Sequence, residues 1–309
     1  MTGDEMSNDW TVDPADEQRH VAPADALWNE SYYLDVVDAE GRVGGYVRLG
    51  FYPNEGVVWW TTALVVADEL IAMSTNYELA VPDLPRLGAS GPGTEISIEV
   101  VEALAGMRVV ATAPAEVFGS ELEVYDGAGR PAELGIDLTW RTDGEPYGYG
   151  AHTRYEIPCL VEGTITLDGE IYEIAGPGQR DHSWGVRDWW SFGWCWMAGR
   201  LDDGTRFHCA DIRVPEMRMA FGYTQAPTRA VTTVDVTEDL GPQGFPTSGH
   251  ARYEPSGLEL DIEPLGFGPL LLRGPEGQVS HFPRSMARFV AQDGRQGLGW
   301  IEWNQPAGR

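Results

Sequence analysis

From Leu27 onward the chain alternates short apolar or in–out patterned runs with turn residues, the texture of strand, turn and strand. Tyr32–Val37, the loop Asp38-Ala-Glu-Gly-Arg42 and Gly45–Phe51 predict a hairpin. Val57–Val66 is a long β-branched and aromatic run, Glu95–Val101 alternates apolar with polar, and Met107–Ala113 and Leu122–Tyr125 continue the pattern. Asp126-Gly-Ala-Gly-Arg130 then turns into Ala132–Trp140. No window has a helical period beyond one turn expected around Asp83–Leu87. The text changes at residues 141–156, rich in Gly and Tyr, and reads as a linker. Strand text then resumes through Val161–Leu167, Glu170–Ile174, Trp194–Leu201, Arg206–Val214, Met219–Tyr223, Ala230–Val236, Gly249–Glu254, Leu258–Ile262, Ser285–Gln292 and Gly297–Trp303.

The expectation is an all-β chain of two successive antiparallel barrels or sandwiches, residues 25–150 and 151–309, behind a flexible acidic arm over 1–24. A barrel of about eight strands leaves room for one small ligand, so a binding or catalytic cavity fits this fold class.

One segment departs from the pattern. Gly176-Pro-Gly-Gln-Arg-Asp-His-Ser-Trp-Gly-Val-Arg-Asp-Trp-Trp190 is followed by Ser-Phe-Gly-Trp-Cys-Trp-Met197, and Trp184, Trp189, Trp190, Trp194 and Trp196 fall inside it. Interleaved are Arg180, Asp181, His182, Arg187 and Asp188. It reads as a glycine-bounded loop that packs ionisable groups against aromatic surface. Such desolvation raises a carboxyl pKa and lowers an imidazole pKa, which poises a general acid or base near neutrality. The plainer reading is that the arginines and aspartates form loop-pinning ion pairs while the tryptophans plug a barrel end.

The segment resembles the signature of the carotenoid hydratase, AttH-like and kievitone hydratase group of tandem lipocalin-like proteins, including bacterial members with the Arg-Asp-His-Ser-Trp-Gly form. The resemblance implies two lipocalin-like domains, the second carrying the signature. In the carotenoid hydratases a His-x-Trp pair, with a Tyr-x-Asp pair further along, serves protonation of an isolated alkene. His182 and Trp184 match the first pair. The second stands here as Cys209-Ala-Asp211, which keeps the aspartate and loses the tyrosine. The implied catalytic set is Asp211 as acid, His182 as orienting group or base and Asp181 as the alternative acid. The five tryptophans would bind substrate and stabilise a cation through their indole faces, with Arg180, Arg187 and Asp188 as structural partners.

Other constellations carry less. His182, His208 and Asp211 offer metal-ligand types, but neighbouring strand residues point to opposite faces, so no metal is expected. Ser183 lacks the Gly-x-Ser-x-Gly elbow. The glycines at 148–150 and 176–178 lack a strand–loop–helix context for a nucleotide. Trp59, Trp60, Trp300 and Trp303 read as core or pocket lining, Glu302 as a second pocket carboxylate, and Tyr147, Tyr149 and His152 as closing a cleft at the junction.

Composition narrows the chemistry further. Of 309 residues 48 are acidic and 21 basic, and every basic residue is arginine, for a net charge of −27. Without an ε-amine there is no Schiff base, pyridoxal anchor or P-loop lysine. The charge disfavours nucleic acid and anionic lipid surfaces. No apolar run approaches the ~18 residues of a spanning helix, and Met1-Thr-Gly-Asp-Glu lacks the regions of a secretion signal, so a cytoplasmic location is expected. Cys159, Cys195 and Cys209 suggest neither a disulfide framework nor a zinc site. The expected activity is a cofactor-independent hydratase, dehydratase, isomerase or cyclase acting on an alkene or polyene-like hydrophobic molecule, such as a terpenoid, steroid or polyketide. A non-catalytic carrier of such a molecule and a shape-guided pericyclic cyclase are the alternatives.

Overall fold

The computed structural model describes residues 11–150, 152–214, 217–226, 228–274 and 276–307. The first set of strands is β1 Trp28–Val37, β2 Val43–Tyr52, β3 Val57–Val66, β4 Leu70–Ala80, β5 Gly88–Gly91, β6 Thr94–Glu102, β7 Gly106–Phe118, β8 Arg130–Thr142, β9 Tyr147–Gly148, β10 Arg154–Leu167 and β11 Glu170–Val186. They form one antiparallel sheet in the order β4-β3-β2-β1-β11-β10-β8-β7-β6-β5, and a short β4–β7 pairing closes it into a ring of eight strands. The second set is β12 Gly193–Leu201, β13 Arg206–Val214, β14 Met217–Gln225, β15 Arg229–Leu240, β16 Pro246–Glu254, β17 Glu259–Phe267, β18 Leu270–Arg273, β19 Val279–Phe282, β20 Arg284–Ala291 and β21 Gln296–Pro306. Here β12 pairs with β21 along its length and closes a second eight-strand ring, from which β19 and β18 extend.

The fold class is as the alternation of apolar residues predicts, with local differences. Leu122–Tyr125 lies in a short helix, α1 Glu121–Asp126, whose Val124 and Tyr125 line a surface groove while Leu122 stays exposed. Asp83–Leu87 is not helical. The sheets divide between Val186 and Gly193, whereas the sequence pattern placed the division near residue 150. Both β10 and β11 hydrogen-bond into the first sheet, to β8 and β1. Hairpin text says nothing about which sheet will accept the hairpin.

Three apolar cores follow from the two rings. Leu34, Leu49, Trp60, Val109, Trp140 and Ile157 fill the first barrel. Phe207, Tyr253, Phe289 and Trp303 fill the second. Between the sheets lie Tyr33, Tyr46, Tyr147, Trp189, Trp196, Tyr223, Phe282 and Trp300. The arm expected to be flexible is docked over residues 11–24: a 3-10 turn at Pro14–Glu17 drives the Glu17 carboxylate, fully buried, into the first barrel. Residues 1–10 lie outside the described part.

Candidate active site between the sheets

Gly176–Val186 of the segment expected as a loop continues strand β11, whose start at Glu170–Ile174 matches the expected strand, and residues 187–192 are the connection to β12. The polarity of Gly176–Val186 disguised a regular in–out alternation, because both faces of this strand are buried. The glycines permit close approach of β1. A Cβ at Gly176 would lie 2.0 Å from the Val37 carbonyl oxygen, and one at Gly178 would lie 2.2 Å from that of Asp35. Alternation sends Arg180, His182 and Trp184 into the first barrel and Asp181 and Ser183 toward the second sheet.

On the barrel face, Arg180 Nη1 donates to Glu17 Oε1 at 2.6 Å, and Tyr155 OH donates to the same oxygen at 2.6 Å. His182 stacks on Tyr32 with centroids 4.0 Å apart, and its Nε2 lies 3.0 Å from Glu30 Oε1. Trp184 stacks on His20 of the docked arm at 4.1 Å. His20, Glu30 and His182 thus form the one cluster of metal-ligand type among the described residues.

On the other face, a polar network runs from the first sheet to the second. Arg154 donates from Nη2 to Asp181 Oδ2 and from Nε to Glu156 Oε1, both at 2.8 Å. Glu156 Oε1 also accepts from Trp196 Nε1 at 3.0 Å and Tyr149 OH at 3.1 Å, while Oε2 accepts from Gln179 Nε2 at 3.1 Å. Tyr149 OH lies 2.6 Å from His208 Nε2, and His208 Nδ1 is 3.0 Å from the Met197 carbonyl. Donation from Nδ1 to that carbonyl leaves Nε2 as an acceptor, so the Tyr149 proton stands between an imidazole and a carboxylate.

Burial sets the electrostatics here. It pushes the Asp181 carboxyl up to about 7; Arg154 opposes and Glu156 adds to the rise. Asp35 on β1 is also raised well above the usual range by burial, although the Gln179 N–H donated to it works the other way. His208 is held well below its usual value by burial and then by Arg154. Arg187 is lowered to about 10 by burial and the nearby Arg154 and Arg48. Neutral acid and neutral base forms therefore coexist in one dry interface.

A narrow void of about 10 Å³, room for about one water, adjoins this network and is lined by Arg48, Trp59, Tyr77, Trp189, Leu270 and Arg284. Arg187 and Arg48 lie over the Trp189 ring at 5.1 and 4.9 Å. Two cavity donors, Trp189 Nε1 and Arg284 Nη1, are buried without a hydrogen-bond partner among the described residues. Tyr77 and Leu270 are shared with an outer groove of about 390 Å³ lined further by Met73, Phe118, Tyr125 and Arg273.

The sequence candidates are thus dispersed. Asp181 joins the network, and Glu302 lies in the same interface, accepting from Trp194 Nε1 at 3.2 Å and paired with Arg284 at 2.9 Å. Trp189 lines the cavity, Trp196 serves Glu156, Trp190 and Trp194 pack on the interface, and Trp184 faces the other way. Tyr147 and Tyr149 lie in the interface, while His152 stays exposed. Asp188 accepts from the Trp190 N–H at 2.8 Å and shapes the turn. Arg187 Nη2 donates to Ser183 Oγ at 3.1 Å. Asp211 is not brought to either face of β11. Its oxygens accept from Arg213 Nε at 2.7 Å and Arg218 Nη2 at 2.6 Å, so arginines of its own and the neighbouring strand occupy it. Arg154, Glu156, Asp35, Arg284, Glu17, Glu30 and His20 were not singled out in the sequence. Only Arg154-x-Glu156, an ionisable pair with strand spacing, gave a readable signal.

Two closed antiparallel rings sharing a buried, ionisable interface define a tandem lipocalin-like fold. The chain belongs to the family described as Domain of unknown function (DUF7064), whose profile matches residues 13–307. No curated protein matches it in sequence. Among solved structures it is similar to an AttH-like protein of Nitrosomonas europaea, at 14% identity and a TM-score of 0.68, covering 95% of this chain and 96% of that one. It is also similar to kievitone hydratase from Nectria haematococca, at 12% identity and TM-score 0.58, covering 90% of this chain and 88% of that one. CghA matches at 9% identity and TM-score 0.57, covering 92% and 90%. At these identities the likeness establishes the fold.

Proposed function

We propose that the protein is an acid–base enzyme of hydratase or cyclase type, acting in the intersheet cleft on a hydrophobic small molecule that carries an oxygen acceptor. The observation that carries this reading is the juxtaposition of an aromatic-lined groove, two unpartnered buried donors and a carboxyl–guanidinium network. Met73, Tyr77, Phe118, Tyr125 and Leu270 of the outer groove supply apolar surface for the body of the substrate, and the narrow inner void beside Trp189 admits only its polar tip. Trp189 Nε1 and Arg284 Nη1, lacking partners, supply the hydrogen bonds that would fix a carbonyl or hydroxyl oxygen. Asp181, raised by burial, delivers or removes the proton, and Arg154 holds the carboxylate left behind. The similarity in fold to kievitone hydratase and CghA supports the reaction class and leaves the substrate open.

The test is incubation with a panel of terpenoid and polyketide alkenes in D2O, read by mass spectrometry alongside binding measured through tryptophan quenching. Wild type should bind at least one and incorporate deuterium. Asp181→Asn should keep the affinity and lose incorporation by about 10²–10⁴-fold. Binding without incorporation by wild type would establish a carrier instead.

A further inference from the structure

The barrel face of β11 carries a second constellation that the intersheet reading does not use and does not depend on. His20 Nδ1 lies 2.7 Å from Glu30 Oε1, and His182 Nε2 lies 3.0 Å from the same oxygen. The three ligand atoms lie within 4.8 Å of one another. Two imidazole nitrogens thus flank one carboxylate oxygen, with Glu30 and His182 buried and His20 half-buried at the barrel mouth.

The outer nitrogens are also accounted for. His20 Nε2 faces Asp16 Oδ1 at 3.4 Å. His182 Nδ1 faces Tyr155 OH at 3.3 Å, and that hydroxyl spends its own proton on Glu17 Oε1, so its oxygen accepts. Histidine ligands of metals characteristically donate their second ring N–H to a carboxylate or another oxygen, which fixes the tautomer and turns the other lone pair inward. Here both histidines are set that way. Every one of the four ring nitrogens faces an acceptor oxygen. With the ring proton on each outer nitrogen, both inner nitrogens offer a lone pair toward the Glu30 carboxylate side, where a single divalent cation can sit.

We propose that His20, Glu30 and His182 form a binding site for one first-row divalent transition-metal ion, zinc as the reference, which clips the N-terminal arm onto the mouth of the first barrel. Two imidazoles and a carboxylate suit zinc or iron and leave at least one coordination position open. The ring of Trp184 on one side and Tyr32 on the other hold the two imidazoles in place by stacking. Because His20 comes from the arm and the other two ligands from β1 and β11, the ion would bridge segments far apart in sequence. Ligation requires the neutral imidazoles, so affinity falls as pH drops.

The experiment titrates the full chain, stripped with EDTA, with Zn²⁺ by calorimetry at pH 7.5, and follows Co²⁺ uptake by its visible absorption. One equivalent should bind with a Kd below about 10 μM. Proton release should show as a dependence of the apparent enthalpy on buffer ionisation. His20→Ala, on the arm and outside the barrel wall, should weaken binding by at least about 100-fold, and Asp16→Ala by about 10-fold as an outer partner. The control His250→Ala, at a surface pair with Asp261, should bind as wild type. Trypsin should cut after Arg19 more slowly with Zn²⁺ than without it in wild type, and at equal rates in His20→Ala. Binding weaker than 10 μM, binding untouched by His20→Ala, or arm proteolysis indifferent to zinc in wild type would each overturn the proposal.

Discussion

The ion pair between Glu17 and Arg180 sets the attachment of the arm, and its removal has a calculable cost. Glu17→Ala deletes the carboxylate that accepts 2.6 Å bonds from Arg180 Nη1 and Tyr155 OH. Arg180 is 2% exposed, and its Nε and Nη2 already lack hydrogen-bond partners, so the guanidinium would stand alone in an apolar barrel. Leaving one member of a buried pair uncompensated costs about 3–5 kcal/mol. That is comparable with the whole stability of a marginal domain, about 5–15 kcal/mol. The molecule has one escape: the arm can leave and let water reach Arg180, which caps the loss at the free energy of docking. Urea unfolding followed by tryptophan fluorescence measures the cost, and trypsin cleavage after Arg19 reports undocking. The double variant Glu17→Leu with Arg180→Met should be less destabilised than either single variant, because an apolar pair leaves no buried charge. A Glu17→Ala cost below about 1 kcal/mol with Arg19 still protected would refute this account of the pair.

Two further outcomes follow from the same structure. Asp181 is raised from 3.8 to about 7, so its folded-state carboxyl binds a proton that the unfolded one has released. Its stabilising contribution is therefore full below pH ~4 and lost as pH rises through ~7, an effect of about 4 kcal/mol at 1.4 kcal/mol per tenfold. Asp181→Asn should accordingly gain on wild type between pH 4 and 8 in urea unfolding, and a constant difference across that range would count against the assignment. Asp211→Asn should lower stability by about 1–3 kcal/mol through the lost charge on Arg213 and Arg218, with the cost seen in the urea midpoint and not in label uptake.

Period-2 alternation and turn chemistry were enough to predict an all-β chain of two barrels or sandwiches, because side-chain burial on a strand repeats every second residue wherever one face is solvated. The same rule failed at β11. There both faces are buried, one against Glu17, Glu30 and Tyr155 and the other against Arg154 and the second sheet, so polar residues run unbroken from Gln179 to Ser183 and that stretch reads as a loop.

The sequence by itself determined the strand content, the absence of amine chemistry and the segment where ionisable and aromatic residues concentrate. Tertiary structure decided which of those residues meet. Asp181 and His182 are neighbours in the chain yet face different interiors, and Asp211, matched by the resemblance, is drawn away by arginines on its own and the adjacent strand. Arg154, Glu156, Glu30 and His20 come from elements whose pairing no local pattern specifies. Strand register and sheet closure are long-range choices, and a shift of one residue would exchange the two faces of β11.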